Sequence, residues 1–121
     1  MSVEIVEPAE VEGDESTPGI VRKTIFETDH NVMVYSRVAE DTTTGWHHHC
    51  DRHAYGYVLH GQGVIEYGPD GSNRLELSAP LCFHISPRMV HREITKTDTE
   101  VIVSFVGSGP LFENVEGPQS E

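Results

Sequence analysis

The chain reads as a succession of short stretches rich in Val, Ile, Tyr, Phe and Thr, and no segment holds a 3.6-residue apolar period for three turns. Such residues fit a pleated, half-buried surface. The pattern predicts strands over 20–26, 31–38, 44–49, 53–60, 63–67, 74–78, 81–86, 91–95 and 101–106. Turn chemistry separates them. Gly68-Pro69-Asp70-Gly71-Ser72 is a strong hairpin signal, because Asp-Gly accepts positive φ cheaply. Gly61-Gln62-Gly63 is a second sharp reversal. Many short strands at close spacing argue for an all-β sandwich or barrel. There is no internal repeat and no glycine loop of the phosphate-cradling kind.

A length of 121 residues suits one domain. Residues 1–18 read as an acidic, flexible segment: Glu4, Glu7, Glu10, Glu12, Asp14 and Glu15 face no basic partner, and Pro8, Gly13 and Pro18 interrupt any period. Within it, Val3-Glu4-Ile5-Val6 has the composition of an edge strand for this sheet or a neighbouring subunit's. Residues 19–112 form the expected barrel, and 113–121 an acidic tail with Pro118.

Charge narrows the partners. Net charge is −12, from 20 acidic and 8 basic residues, and only Lys23 and Lys96 are lysines. A surface this acidic repels nucleic acid and anionic membranes, so neither is an expected partner. High acid with low lysine fits a protein adapted to high salt. No apolar run approaches the ~20 residues of a membrane span. The N-terminus shows no positive start followed by an apolar stretch, which leaves a cytoplasmic location as the expectation. In that compartment Cys50 and Cys82 are expected as free thiols.

The chemistry lies in the histidines, of which there are 8. Five fall in two places: Trp46-His47-His48-His49-Cys50-Asp51-Arg52-His53, and Pro87-Arg88-Met89-Val90-His91. Side chains alternate faces along a strand, so His47 and His49 point one way and His48 the other. Two imidazoles about 7 Å apart along a strand can lean onto one ion with bonds of about 2.0–2.2 Å. A third ligand must come from another strand, and His91 follows a Pro-containing turn at a strand start. His48 is expected outward, solvated or supporting the site from behind. His30 reads as a turn residue, and His60 and His84 as structural histidines. Neutral imidazole suits Fe, Cu, Ni and Zn.

These residues make the sequence resemble the cupin superfamily. Cupins carry a first motif of the form G-x5-H-x-H-x3–4-E-x6-G and a second of the form G-x5-P-x-G-x2-H-x3-N. His47, His49 and Gly61 match the first; His91 matches the second, with Pro87 one place late. The resemblance spans roughly residues 33–107. It implies a double-stranded β-helix, or jelly-roll, barrel that holds a divalent transition metal (Fe, Mn, Cu, Ni or Zn) on three histidines and a glutamate facing the interior.

The departures matter. The first motif's leading glycine is Asp41 here. Counting back from Gly61 puts Ala54 in the glutamate position; counting forward from His49 puts His53 there. In the first case the ligands are His47, His49 and His91 with the carboxylate missing. In the second, or if a bulge turns the strand start inward, His53 is a fourth ligand, as in small cupins with four-histidine manganese sites. In the second motif Arg88 replaces the inner glycine and Thr95 the asparagine. Arg88 suggests a wider turn, its guanidinium either solvated or steering anions at the barrel mouth. Ala54 and Gly56 on one face would leave open space beside the metal. Glu93, two residues past His91, is a weak candidate for a general base.

Three-histidine cupins include diketone-cleaving and thiol dioxygenases, so the resemblance implies a metal-dependent oxygenase acting on a small organic molecule. A non-catalytic cupin that binds a small ligand or senses a metal is the alternative. Val103 and Phe105 are candidate lining residues for either. A homodimer is expected, because exposed sheet edges need covering.

Overall fold

The computed structural model describes residues 2–119. Met1, Ser120 and Glu121, at the outer ends of the two expected tails, lie outside the described residues. The strands are β1 (Asp14–Thr17), β2 (Ile20–Glu27), β3 (Asn31–Val38), β4 (Thr42–Thr43), β5 (His47–His48), β6 (His53–His60), β7 (Gln62–Tyr67), β8 (Asn73–Ser78), β9 (Leu81–Ile85), β10 (His91–Thr95), β11 (Thr99–Val106) and β12 (Glu113–Asn114). One sheet runs β1-β2-β3-β11-β6-β9, and the other β12-β5-β10-β7-β8 with β4 also on β10. All the pairings are antiparallel. The architecture is the all-β fold expected from the strand pattern, and the double-stranded β-helix that the resemblance to cupins implies. No helix among the described residues is long and apolar enough to cross a membrane.

Period-two alternation builds the interior. Along β3, Val32, Val34 and Ser36 are buried; along β6, Ala54, Gly56 and Val58 are. Ala54, Ile65 and Ile85 form a core cluster that Phe83, Val103 and Phe105 pack against. The space foreseen at Gly56 is real but filled. A Cβ on Gly56 would run into the Phe83 ring, and Ala54 is itself part of the core. Gly56→Ala is therefore expected to destabilise the protein by about 1–3 kcal/mol through overpacking, read from urea unfolding midpoints.

Three local readings change. The strand expected over 44–49 shrinks to His47–His48, and a separate short strand, Thr42–Thr43, lies just before it; both pair with β10. Arg88 does not widen its turn. It takes the left-handed conformation itself, with φ of 63°, after Pro87, and Met89 N–H closes the turn on the Ser86 carbonyl at 3.3 Å. This is the Pro-then-positive-φ arrangement that usually calls for glycine. Finally, both expected tails contribute strand. β1 pairs with β2, and β12 pairs with β5. Residues Val3 to Val6 are not strand, and Val3 and Ile5 are exposed.

Candidate metal centre

β5 and β10 are neighbours, and His47 lies directly across the ladder from His91. His49 follows β5 in the turn that Arg52 N–H closes on the His49 carbonyl at 3.1 Å. The ligand nitrogens of His47, His49 and His91 all lie within 4.8 Å of one another, and all three residues are buried. Ring centroids stand 4.3 Å apart for His47 and His91, 5.0 Å for His49 and His91, and 5.3 Å for His47 and His49.

The outer nitrogens are all engaged by main chain. His47 Nδ1 meets the Gly45 carbonyl at 2.8 Å, His49 Nδ1 the Leu111 carbonyl at 2.9 Å, and His91 Nδ1 the Met89 carbonyl at 2.9 Å. A carbonyl only accepts, so each Nδ1 carries the proton, and each Nε2 keeps its lone pair for the centre. The Nε2 of His91 is fully buried and has no hydrogen-bond partner among the described residues. Leaving such an atom without a partner costs about 1–3 kcal/mol. A divalent ion would supply the partner, so the residues present fit a metal, and His47, His49 and His91 are the residues that would hold it.

Electrostatics agree. Burial, then the neighbouring His91, pushes His49 down to about 4. Burial also lowers His91. Both rings are therefore neutral, ligand-ready bases at pH 7. In the metal-free protein the unfolded chain takes up protons between pH 6.5 and about 4 that the folded chain refuses. Stability is then complete above pH 6.5 and falls as pH drops toward about 4, by up to about 1.4 kcal/mol per pH unit for one group. Thermal melts in chelator should show this slope, and His49→Gln should flatten it.

Glu93 shares a face with His91, two residues on. Its two carboxylate oxygens lie 3.8 Å from His47 Nε2 and 3.8 Å from His91 Nε2. Burial would raise its pKa, but its interactions with the neighbouring His91, His47 and His49 and with Arg22 outweigh this and hold Glu93 below the usual range. A carboxylate is thus present beside the histidines, supplied by β10 rather than β6.

His53 does not join the cluster. On β6 it lies in the outward register with Tyr55 and Tyr57, while Ala54 takes the inward one. Its Nδ1 lies 2.9 Å from the Nε2 of His84 on the neighbouring strand, at the surface. Of the two counts, the inward position therefore belongs to Ala54. His48 points away from the cluster, as alternation requires, but it is buried rather than solvated. Its Nδ1 accepts the Cys50 N–H at 3.0 Å and its Nε2 meets Glu113 at 3.1 Å. Arg88 pairs with exposed Asp51 at 2.9 Å. Both cysteines are free thiols.

Sequence reasoning missed the C-terminal contribution. Leu111 holds His49, and the Phe112 ring lies 6.5 Å from that of His47. It also missed Arg22, which lines the cavity over the centre together with His47, His49, Glu93 and Phe112. Nothing local marks these residues, because they reach the site only through strand pairings distant in sequence.

Solved structures place the fold. The chain superposes on the polyketide cyclase RemF of Streptomyces resistomycificus with a TM-score of 0.79 at 19% identity, over 95% of this chain and 87% of that one. It matches KdgF from a Halomonas species with a TM-score of 0.76 at 21% identity, over 88% and 96%. It matches an RmlC-like cupin from Shewanella frigidimarina with a TM-score of 0.72 at 19% identity, over 88% and 93%. The fold is that of the small cupins. No family model matches the sequence, and no curated protein matches it either.

Proposed function

We propose that this chain is a metal-dependent enzyme that moves a proton on a small organic molecule. The observation that carries the reading is the juxtaposition of three pre-aimed Nε2 atoms with the Glu93 carboxylate, 3.8 Å from two of them. A divalent ion in such a site supplies Lewis acidity toward a substrate oxygen. The chain's own residues do the rest. The main-chain carbonyls fix the imidazoles, and Phe105 and Phe112 wall the cavity beside His49 and His47. Glu93, ionised and only partly exposed, is placed to accept a proton from a carbon or hydroxyl lodged between it and the histidines. The neighbour RemF is titled a polyketide cyclase, and another neighbour, Pac13, a nucleoside dehydratase. Both names fit non-oxidative chemistry on this fold.

A second reading is dioxygen chemistry, the activity implied by three-histidine cupins. Ala54 favours it, because the carboxylate expected from β6 is missing. The experiment separates the two readings. Metal-loaded protein is incubated with small keto acids, diketones, hydroxy acids and thiols, first in deuterated buffer under nitrogen and then in air with an oxygen electrode. Deuterium incorporation or product under nitrogen supports the proton-transfer reading. Uptake confined to air supports the oxygenase. No reaction with any compound supports a binding module. The expected homodimer would cover the outward Tyr55 and Tyr57, which are 49% and 44% exposed; a monomeric mass by light scattering would refute it.

A further inference from the structure

Among the described residues that line the cavity above the histidines, Arg22 is the one cation, and it makes no contact with a carboxylate within 4 Å, although it feels the charge of Glu93 at longer range. Arg22 sits on β2 opposite Ser36, a buried, inward position of β3, so its side chain enters the barrel. There its Nη1 donates to the Thr17 hydroxyl at 3.1 Å, and its guanidinium lies over the Phe112 ring, 5.6 Å from the centroid. Phe112 in turn stands 6.5 Å from His47. The guanidinium is therefore held by a hydroxyl on one side and by the Phe112 ring on the other, and that ring also faces His47.

Arg22 is one of four basic side chains, with Lys23, Arg37 and Arg52, that have no carboxylate within 4 Å among the described residues. With 20 acidic residues, carboxylates are plentiful. Arg74, Arg88, Arg92 and Lys96 each meet one within 4 Å. Arg52 is buried, and its donors are spent on the carbonyls of Gly109 and Phe105. Arg22 forms no ion pair among the described residues, not even with Glu93, which lines the same cavity. A guanidinium offers five N–H donors in a planar fork shaped for carboxylate or phosphate. One of the five is used by a neutral hydroxyl. The open donors sit on the wall of the cavity that His47, His49 and Glu93 also line.

We infer that Arg22 is the anchor for the carboxylate of a small organic anion, whose oxygen-bearing carbon next to that carboxylate then faces the three histidines and Glu93. The inference rests on the proposed reading of the metal centre and adds the substrate class: short 2-oxo or 2-hydroxy acids rather than neutral diketones or thiols. Thr17 and Phe112 are positioning residues for the guanidinium. Arg88, the arginine that its place in the motif had put forward for this role, faces exposed Asp51 instead.

The test uses metal-loaded protein and isothermal titration with pyruvate and 2-oxobutanoate, each against its neutral amide. Wild type is expected to bind the acids at least tenfold more tightly than the amides. Arg22→Gln should weaken the acids by about 10–100-fold, in the range of a charge-assisted hydrogen-bonded pair. It should leave the amides unchanged, and Arg22→Lys should recover part of the loss. Arg88→Gln should bind like wild type. Metal affinity is measured first in every variant and should be unaltered by Arg22→Gln, which separates this inference from the metal reading. If wild type takes no metal, the metal reading fails; the acid-over-amide preference and its loss in Arg22→Gln are still required, and are then measured on the metal-free protein. Equal binding of acids and amides, acid binding unchanged in Arg22→Gln, or no acid binding at all would each overturn the assignment.

Discussion

Replacing His91 by alanine is expected to weaken divalent metal binding at least ~100-fold, beyond the 10–100-fold typical of losing a residue that merely supports a ligand. His91 is completely buried, so the substitution also opens a hole. A hole of that kind costs about 2–4 kcal/mol in metal-free protein. Removal of the unpartnered Nε2 gives back about 1–3 kcal/mol. The two nearly cancel, and the apo variant should melt within a few degrees of apo wild type. With metal the outcomes diverge. An ion present at a hundred times its Kd stabilises wild type by about 2.7 kcal/mol, which is roughly 10 °C in a domain of this size. The variant should gain almost nothing. Titration calorimetry and melts with and without chelator read both quantities. Undiminished affinity in the variant would place the metal elsewhere.

Replacing Glu93 by glutamine is expected to cut the proton-transfer rate by about 10²–10⁴, the usual worth of a positioned general base. The swap preserves shape and removes only basicity. Metal affinity should stay within tenfold of wild type, because the three Nε2 atoms and their carbonyl partners are untouched. Deuterium incorporation into substrate reports the rate, and titration calorimetry the affinity. A loss of affinity as large as that of His91→Ala would instead make Glu93 a ligand.

The parts of this site that could be read in advance are those governed by period two. His47 and His49 share a face with one residue between them, and His91 opens a strand after a proline turn. The structure brings these three together. His53 was ambiguous because two counts through the same motif differed by one residue, and one residue on a strand is a change of face. The position of Ala54 in the core resolves it. The missing carboxylate is an instructive case. Motif counting looked for it on β6, whereas β10 presents Glu93 beside His91 on the same face. Arg22, Leu111 and Phe112 were out of reach of local reasoning. Each is placed by a pairing distant in sequence, and the acidity of the flanking segments made both look like unstructured tails. Strands of two to four residues, such as β1 and β12, are too short to announce themselves by alternation.

The order of synthesis bears on how the centre forms. His47, His49 and His91 leave the ribosome well before Leu111, whose carbonyl fixes the tautomer of His49, and before Phe112 and Glu113, which close over His47 and His48. A nascent chain released no further than residue 110 holds the ligands without the piece that orients one of them. Metal capture during translation would meet a looser, less selective site. The finished geometry, and with it discrimination among ions that favour different shapes, is available only once β12 has docked beside β5.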